Sequence, residues 1–217
     1  MASTAATQVN PEDKLMFMKD FTKAATEFVL VQPRLPAVTP SHVVTGIVAG
    51  TLVEATNGWR AIETLRIGDA IQTLDGGLAR ILGLDRRSLT PSAETAQIHV
   101  PGGCHDACSD ILLVPGQHLL MDTLGDTACD GAPFVLVPAI ALTSDAFARR
   151  HFPQVPVEVI TPLFADEEVI YANSGVLLHC PGIVDGAGRY PDTSFFPRLD
   201  AATARAFLQR RAARLVA

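Results

Sequence analysis

The sequence predicts a mostly β protein of many short strands, with one helix near each end of the chain. From Thr45 onward, short apolar runs alternate with Gly, Asn and Asp, which is typical of strands joined by turns. Two of these junctions, Asn57-Gly58 and Asp75-Gly76-Gly77, have the composition of β-hairpin turns. No repeat of fixed period is visible, which argues against a propeller or a solenoid.

The strands are predicted on both sides of these turns and along the rest of the chain. Asn57-Gly58 is the two-residue signal of a type I′ turn. The two hairpins are predicted from residues 51–55, 59–62, 70–73 and 78–84. Further strands are predicted at residues 96–100, 111–114, 117–121, 134–137, 157–164, 168–171 and 175–178. These lengths are usual for β domains.

The N-terminal helix is predicted from its start signal. Asn10-Pro11-Glu12-Asp13 combines a capping residue, a proline suited to the first helical position and two carboxylates at the positive end of the helix. An apolar stripe at three- and four-residue spacing follows and ends near Leu30. Three prolines between Gln32 and Ser41 then indicate a linker.

The C-terminal helix is predicted at Ala201–Leu215, which is rich in Ala, Leu and Arg, with Asp200 as its cap. Its arginines are interpreted as a solvated helix end that interacts favourably with the helix dipole. The predicted organisation is a helix and linker over residues 1–41, a β domain over 42–183 and a helical tail over 184–217.

Composition and charge exclude several classes of function. The 23 acidic residues exceed the 17 lysines and arginines, giving a net charge of -6, so nucleic acid is not expected as a partner. No apolar run approaches the ~20 residues of a membrane span, and no signal-peptide pattern is visible. Four sparse cysteines favour a reducing compartment, hence a cytoplasmic location, with signal-independent export as the alternative.

Three blocks, in order along the chain, carry the most specific pattern. They are Gly46–Val53 with Asn57–Asp69 and Thr73–Gly77, then Leu113–His118, and last Val169–Pro181. Together they resemble the Hint domain, the module shared by hedgehog autoprocessing domains and inteins, which has many bacterial members. The resemblance implies a flat, horseshoe-like all-β fold whose ends meet at one site.

The resemblance also implies a chemistry that this chain lacks at its first step. In the family, a Cys or Ser in the pattern Cys-x-x-x-Gly-Thr attacks the carbonyl of the preceding residue. Here the pattern begins with Gly46, which has no side chain. Loss of a covalent nucleophile costs about a million-fold in turnover in a protease. Thr45 is the alternative nucleophile, although a shift of one residue along a strand points a side chain to the opposite face.

Two further positions depart from the family pattern or match it in part. His118 matches the histidine that protonates the leaving amide nitrogen, and without a nucleophile we interpret it as a retained structural residue. Three residues earlier the family has Thr or Ser, whereas this chain has Pro115. Asp85 resembles the aspartate of hedgehog domains, but an ion pair with Arg86 or Arg87 is the favoured interpretation. His118, Thr45 and Asp85 are therefore candidate residual or vestigial catalytic residues.

The closing block excludes splicing of the intein type. Inteins end in His-Asn, because cyclisation of the Asn side chain cuts the chain, whereas here His179 is followed by Cys180. Asn173 lies upstream of the histidine and does not match that position. Cys180 is interpreted as a small buried apolar residue, with a reactive thiol beside His179 as the alternative.

One more cluster has the residue types of a metal site. Cys104-His105-Asp106-Ala107-Cys108 follows His99, but structural zinc sites usually need a second ligand pair at a distance. A loop with two free thiols or one local disulfide is favoured, and zinc is the alternative. No metal and no cofactor are predicted.

The sequence therefore favours a bacterial Hint-type domain that has lost autoproteolysis and serves as a binding or structural module, with an unidentified protein partner. The main alternative is a self-cleaving domain that cuts near Thr45-Gly46. A third interpretation is a domain of an exported or surface protein whose N-terminal helix docks a partner. Gly46→Cys is expected to restore part of the first step, and to do so better with Pro115→Thr, unless a positive φ at Gly46 misdirects the thiol.

Overall fold

The structure, a computed structural model, describes residues 44–144, 147–183 and 194–215. The described part of the chain is mostly β, as predicted, and ends in one α-helix; the predicted N-terminal helix lies outside it. The strands are β1 Ile47–Val48, β2 Leu52–Ala55, β3 Gly58–Ala61, β4 Ala70–Thr73, β5 Gly77–Arg80, β6 Gly83–Leu89, β7 Gln97–Val100, β8 Ile111–Leu113, β9 His118–Asp122, β10 Phe134–Pro138, β11 Arg149–His151, β12 Val157–Leu163, β13 Glu168–Ala172 and β14 Val176–Cys180. Short 3₁₀ helices lie at Ile62–Thr64, Thr127–Cys129 and Ala139–Ser144, and α1 is Ala201–Leu215.

The strands form two antiparallel sheets. The first has the order β11-β7-β8-β1-β12-β6, and the second has the order β10-β9-β14-β13-β2-β4-β5 with β3 paired to β2. Residues from both sheets, such as Ile47 and Ile160 of the first and Val53 and Leu178 of the second, share one buried apolar cluster. Burial of this apolar surface is the main driving force that holds the two sheets together.

The first hairpin is present, but its turn differs from the predicted type I′. Ala55 pairs with Gly58, so Thr56 and Asn57 are the central turn residues. A type I′ turn requires positive φ at both central residues, whereas here the positive φ, 98°, belongs to Gly58. Glycine is therefore needed one residue later than predicted, at the first residue of β3.

The predicted strand at residues 78–84 divides into two strands that belong to different sheets. β5 pairs with β4, while β6 pairs with β12 from Gly83 opposite Leu163 to Leu89 opposite Val157. The chain crosses between the sheets at residues 81–82. Sequence patterning missed most of β6 because Arg86, Arg87 and their neighbours give it little apolar alternation.

The helix α1 is capped as predicted. The Asp200 carboxylate accepts hydrogen bonds from the backbone N–H of Ala202 at 2.8 Å and of Thr203 at 2.9 Å. One face of α1 is buried in the core, with Phe207 fully enclosed. This helix is short of the length and apolarity that crossing a bilayer requires, and so are the other helices of the described ranges.

The arginines of α1 are not the solvated helix end that the sequence suggested. Arg210 and Arg214 both pair with the buried carboxylate of Asp126, at 2.7 and 3.2 Å, and Arg211 is itself buried and pairs with Asp106 at 3.0 Å. These ion pairs fix α1 to loops of the β domain. A pattern of charges along one helix does not reveal such long-range partners.

The residues before α1 extend the second sheet at its β10 edge. Leu136 of β10 donates its N–H to the Pro197 carbonyl at 2.8 Å and accepts from the Leu199 N–H at 2.9 Å. This bridge fixes the backbone on either side of Arg198.

Candidate functional site

A pocket of about 100 Å³ opens where the beginnings of β1 and β9 meet the end of β14 and the middle of β12. It brings together two of the three predicted catalytic residues, Thr45 and His118, with Gly46, which the sequence analysis aligned with the nucleophile position of Hint domains. The described residues that line it are Thr45, Gly46, Ile47, Gly116, Gln117, His118, Thr161, Pro162, His179, Cys180, Pro181 and Arg198.

Gln117 forms hydrogen bonds with three of the chain segments that line this pocket. Its Oε1 accepts a hydrogen bond from Gly46 N–H at 3.2 Å, and its Nε2 donates to the carbonyls of His118 at 3.0 Å and His179 at 2.8 Å. The residue is 4 % exposed, so each of these bonds is largely shielded from water. Sequence analysis missed Gln117, although a glutamine beside the block histidine was the available signal.

Gly46 occupies a site without room for a side chain. Its φ is +121°, a conformation that residues with a Cβ rarely adopt. A Cβ placed there would lie 2.5 Å from Val159 Cγ1 and 2.7 Å from Thr161 Oγ1. The Thr161 hydroxyl is buried and has no hydrogen-bond partner among the described residues. Both the backbone conformation of Gly46 and the packing of Val159 and Thr161 around it therefore favour glycine at this position.

Two histidines lie close together in the pocket, His179 buried and His118 partly buried. The rings of His118 and His179 are 6.3 Å apart between centroids and nearly perpendicular. His179 Nε2 lies 3.0 Å from Glu167 Oε1, and Arg198 Nη2 lies 3.4 Å from the same nitrogen. The closer carboxylate favours the tautomer with its proton on Nε2.

Both histidines are neutral at pH 7. Burial, reinforced by the positive charge of Arg198, lowers the pKa of His118 to about 4. Burial also lowers the pKa of His179 to about 4, because it outweighs the opposing effect of the Glu167 carboxylate. At neutral pH each ring therefore offers one N–H donor and one acceptor nitrogen.

A sequence model of the Hint domain matches residues 45–177, more than half of this chain. The chain belongs to the Hint domain family. The match begins at Thr45 beside the pocket and ends within β14, so Gly46, Gln117 and His118 lie inside it. Arg198 enters the pocket from the part of the chain that follows the match.

The solved structures that are similar to this chain include inteins and an intein-like domain. A bacterial intein-like domain from Clostridium thermocellum is 17 % identical, with 63 % of this chain and 99 % of that chain covered and a TM-score of 0.41. A splice-inactive AceL NrdHF class 3 split intein is 10 % identical, with 64 % and 99 % covered and a TM-score of 0.45. The gp41-1 intein is 13 % identical, with 61 % and 97 % covered and a TM-score of 0.37. No curated protein matches the chain.

The third predicted catalytic residue of this Hint domain, Asp85, is not among the described residues that line the pocket. It lies opposite Thr161 in the β6–β12 pair, and its carboxylate forms an ion pair with Arg87 Nε at 3.1 Å. The pairing with a neighbouring arginine that the sequence favoured is therefore present.

Cys180 and Pro115 both lack the properties that catalysis would need. Cys180 is 1 % exposed, and burial raises the pKa of its thiol, so the thiolate is strongly disfavoured at neutral pH. Its alternative role as a reactive thiol is thus not supported. Pro115 has no N–H to donate, and its carbonyl accepts a hydrogen bond from Ile140 N–H at 3.0 Å.

The residues of the possible zinc loop are engaged elsewhere. Cys108 Sγ donates to the Ser174 carbonyl at 2.8 Å, and His99 Nε2 lies 2.9 Å from Asp110 Oδ2. Within the described ranges, no three His, Cys, Asp or Glu side chains converge as metal ligands, and all four cysteines are free thiols. Asn173 also has a structural role, because its side chain bonds Leu52 N–H and the Asp110 carbonyl.

Lowering the pH below 6.5 is expected to destabilise the folded protein. The folded-state pKa of His118, about 4, lies below the ordinary value of 6.5, so the unfolded chain binds more protons between these values. Stability is therefore lost as pH falls through this window, by about 3 kcal/mol for His118 alone. Denaturant unfolding at pH 7, 5.5 and 4.5 measures the loss.

The matched variant for this experiment is His118→Gln, which is expected to show a smaller loss of stability over the same pH range. The same unfolding free energy at pH 7 and pH 4.5, or a His118 ring that titrates near 6.5 by NMR, would contradict the prediction.

Proposed function

We propose that this Hint domain has lost autoproteolysis and serves as a binding or structural module. The observation that carries the proposal is the geometry of Gly46, where a positive φ and contacts of 2.5 and 2.7 Å leave no space for a nucleophilic side chain. In the family the reaction begins with attack by the side chain at this position on the preceding carbonyl. Glycine has no group that attacks, and covalent catalysis has no first step without one.

The residues around the pocket support a structural role, in which they stabilise the arrangement of the strands. Gln117, next to β9, bonds Gly46 N–H before β1 and the His179 carbonyl of β14, and both His118 and His179 are neutral. Buried polar groups with satisfied hydrogen bonds stabilise one specific arrangement of the strands. The same residues that position a scissile peptide in active relatives would here hold the scaffold together.

The rival function, self-cleavage near Thr45-Gly46, finds less support. Cys180 is held as a neutral thiol by burial. Thr45 would need a general base to activate its hydroxyl, and the nearby His118 has a pKa of about 4, well below the value suited to a base at pH 7. Attack by Thr45 would also fall on a carbonyl one residue away from the family's scissile position.

We propose a reducing compartment, the cytoplasm of a bacterium, with an unidentified protein partner and no nucleic acid. The four free thiols support a reducing environment. The net charge of -6 argues against binding to phosphate backbones.

The purified full-length chain is expected to stay intact. Incubation at neutral pH with an excess of thiol or hydroxylamine, followed by intact-mass spectrometry, should give one species near 23.1 kDa. These nucleophiles release the thioester or ester that a Hint reaction forms, so they expose even slow turnover. Appearance of a fragment comprising residues 46–217, or of residues 45–217 if Thr45 is the nucleophile, would show that the domain cleaves itself and would refute the proposed function.

A further inference from the structure

Arg198 brings a positive charge to the pocket that no described carboxylate balances directly. Its guanidinium contacts His179 Nε2 at 3.4 Å, and it belongs to none of the ion pairs within 4.0 Å in the described part of the chain. The nearby Glu167 carboxylate is already engaged by His179, by the Ser194 hydroxyl and by Phe195 N–H. The arginine therefore retains its capacity to bind an anion.

The surface of the pocket is mostly apolar. Ile47, Pro162, Cys180 and Pro181 contribute to this apolar surface, and the other polar side chains in the lining, besides Arg198, are Thr45, Gln117, His118, Thr161 and His179. A volume of about 100 Å³ limits an occupant to a few heavy atoms. An apolar body with one negatively charged end matches this lining.

We propose that the pocket binds a small aliphatic carboxylate, with its charged group on Arg198 and its hydrocarbon part against Ile47 and Pro162. A guanidinium is planar and presents paired N–H donors that match the two oxygens of a carboxylate. This assignment rests on the proposed function, because a pocket active in self-cleavage would be filled by the scissile peptide of the chain itself.

The electrostatics of His118 agree with this assignment. Burial lowers the pKa of the His118 ring, and the positive charge of Arg198 lowers it further, so the ring senses the charge of Arg198. A bound carboxylate would offset the effect of that charge. His118 therefore serves as a reporter that lies in the pocket, on β9, away from the segment that carries Arg198.

The probe is butyrate, with butyramide as its neutral isostere, titrated into the full-length protein at constant ionic strength. The signals of the His118 ring are followed by NMR. We expect saturable shifts with butyrate and none with butyramide, together with an upward shift of the His118 pKa when butyrate is bound. Arg198→Gln should weaken butyrate binding at least tenfold, and Arg198→Lys should weaken it less. Arg205→Gln, which removes the same charge from an exposed position on α1, should bind as the wild type does.

Equal binding of butyrate and butyramide would refute the carboxylate assignment, and so would unchanged binding by a folded Arg198→Gln protein. Absence of any saturable shift would refute the site altogether. Should Arg198→Gln fail to fold, the butyrate and butyramide titrations of the wild type and the direction of its His118 pKa shift decide the matter. Intact mass, recorded on the same samples, reports separately on the proposed loss of cleavage.

The carboxylate has two conceivable sources, a free short-chain acid and the C-terminus of a peptide. A short peptide ending in alanine, compared with its C-terminal amide, distinguishes them. Butyrate binding without peptide binding assigns the pocket to free acids, and binding of both assigns it to the carboxylate group from either source.

Discussion

Gly46→Cys is expected to destabilise the protein by about 2 to 6 kcal/mol and to give no thiol-induced cleavage. Two costs add at this position. A residue with a Cβ is strained at a φ of +121°, by about 1 to 3 kcal/mol, and overpacking against Val159 and Thr161 costs about 1 to 3 kcal/mol more. Urea unfolding measures the loss of stability, and mass spectrometry after thiol treatment detects any cleavage.

Gly50→Cys is the matched control for the steric part of this cost. Gly50 also has a positive φ, +89°, but a Cβ there would meet nothing within 4 Å. The Gly50→Cys protein should therefore be destabilised by backbone strain alone. A second test is the double variant Gly46→Cys with Val159→Ala, in which the added cost of the cysteine should shrink because its contact at 2.5 Å is gone.

This expectation replaces the one drawn from the sequence. The sequence suggested that a cysteine at position 46, better with Pro115→Thr, would restore part of the first step, with a positive φ as the stated obstacle. The structure shows that obstacle and adds the contacts with Val159 and Thr161. Equal stability of the Gly46→Cys and Gly50→Cys proteins, or cleavage of the former that depends on His118, would show that the pocket adjusts to a side chain.

Features that depend on neighbouring residues were predictable from the sequence. Most strand positions follow from short apolar runs between turn residues, and the Asp200 cap follows from a side chain that reaches backbone groups two and three residues away. The blocks that resemble a Hint domain directed attention to Gly46 and His118, and both lie within the residues that the family model matches.

Features that depend on contacts far apart in the sequence were not predictable. Gln117 is 71 residues from Gly46 and 62 residues from His179, so its role as a clamp appears only when β1, β9 and β14 are brought together. Arg198 reaches the pocket from beyond the family match, through the bridge between residues 197–199 and Leu136. A sequence pattern gives the type of such a residue but not the residues that it contacts in the folded protein.

Gln117→Leu is expected to destabilise the protein by about 2 to 6 kcal/mol. The leucine side chain has a similar size but removes the two buried bonds that Gln117 makes, to Gly46 N–H and to the His179 carbonyl, and each unsatisfied buried group costs about 1 to 3 kcal/mol. Urea unfolding at pH 7 measures the loss, and Gln154→Leu, at an exposed position, is the matched control. A change of less than about 1 kcal/mol, the net value of a single hydrogen bond, would contradict the role of Gln117 as a clamp.

Gln117→Glu separates the donor and acceptor functions of the same side chain. The introduced carboxylate still accepts from Gly46 N–H but no longer donates to the carbonyls of His118 and His179, and it is a charge at a position that is 4 % exposed. Burial raises the pKa of a carboxyl group, so the folded variant binds a proton more readily than its unfolded chain does. Its stability relative to the wild type is therefore expected to be lowest at neutral pH and to recover as pH falls, since the neutral carboxyl again has a hydrogen to donate. The comparison with the wild type at each pH removes the opposing contribution that the two histidines make in both proteins. A stability difference that is constant from pH 7 to pH 4.5 would mean that this carboxyl is solvated and that Gln117 does not hold the strands of the pocket together.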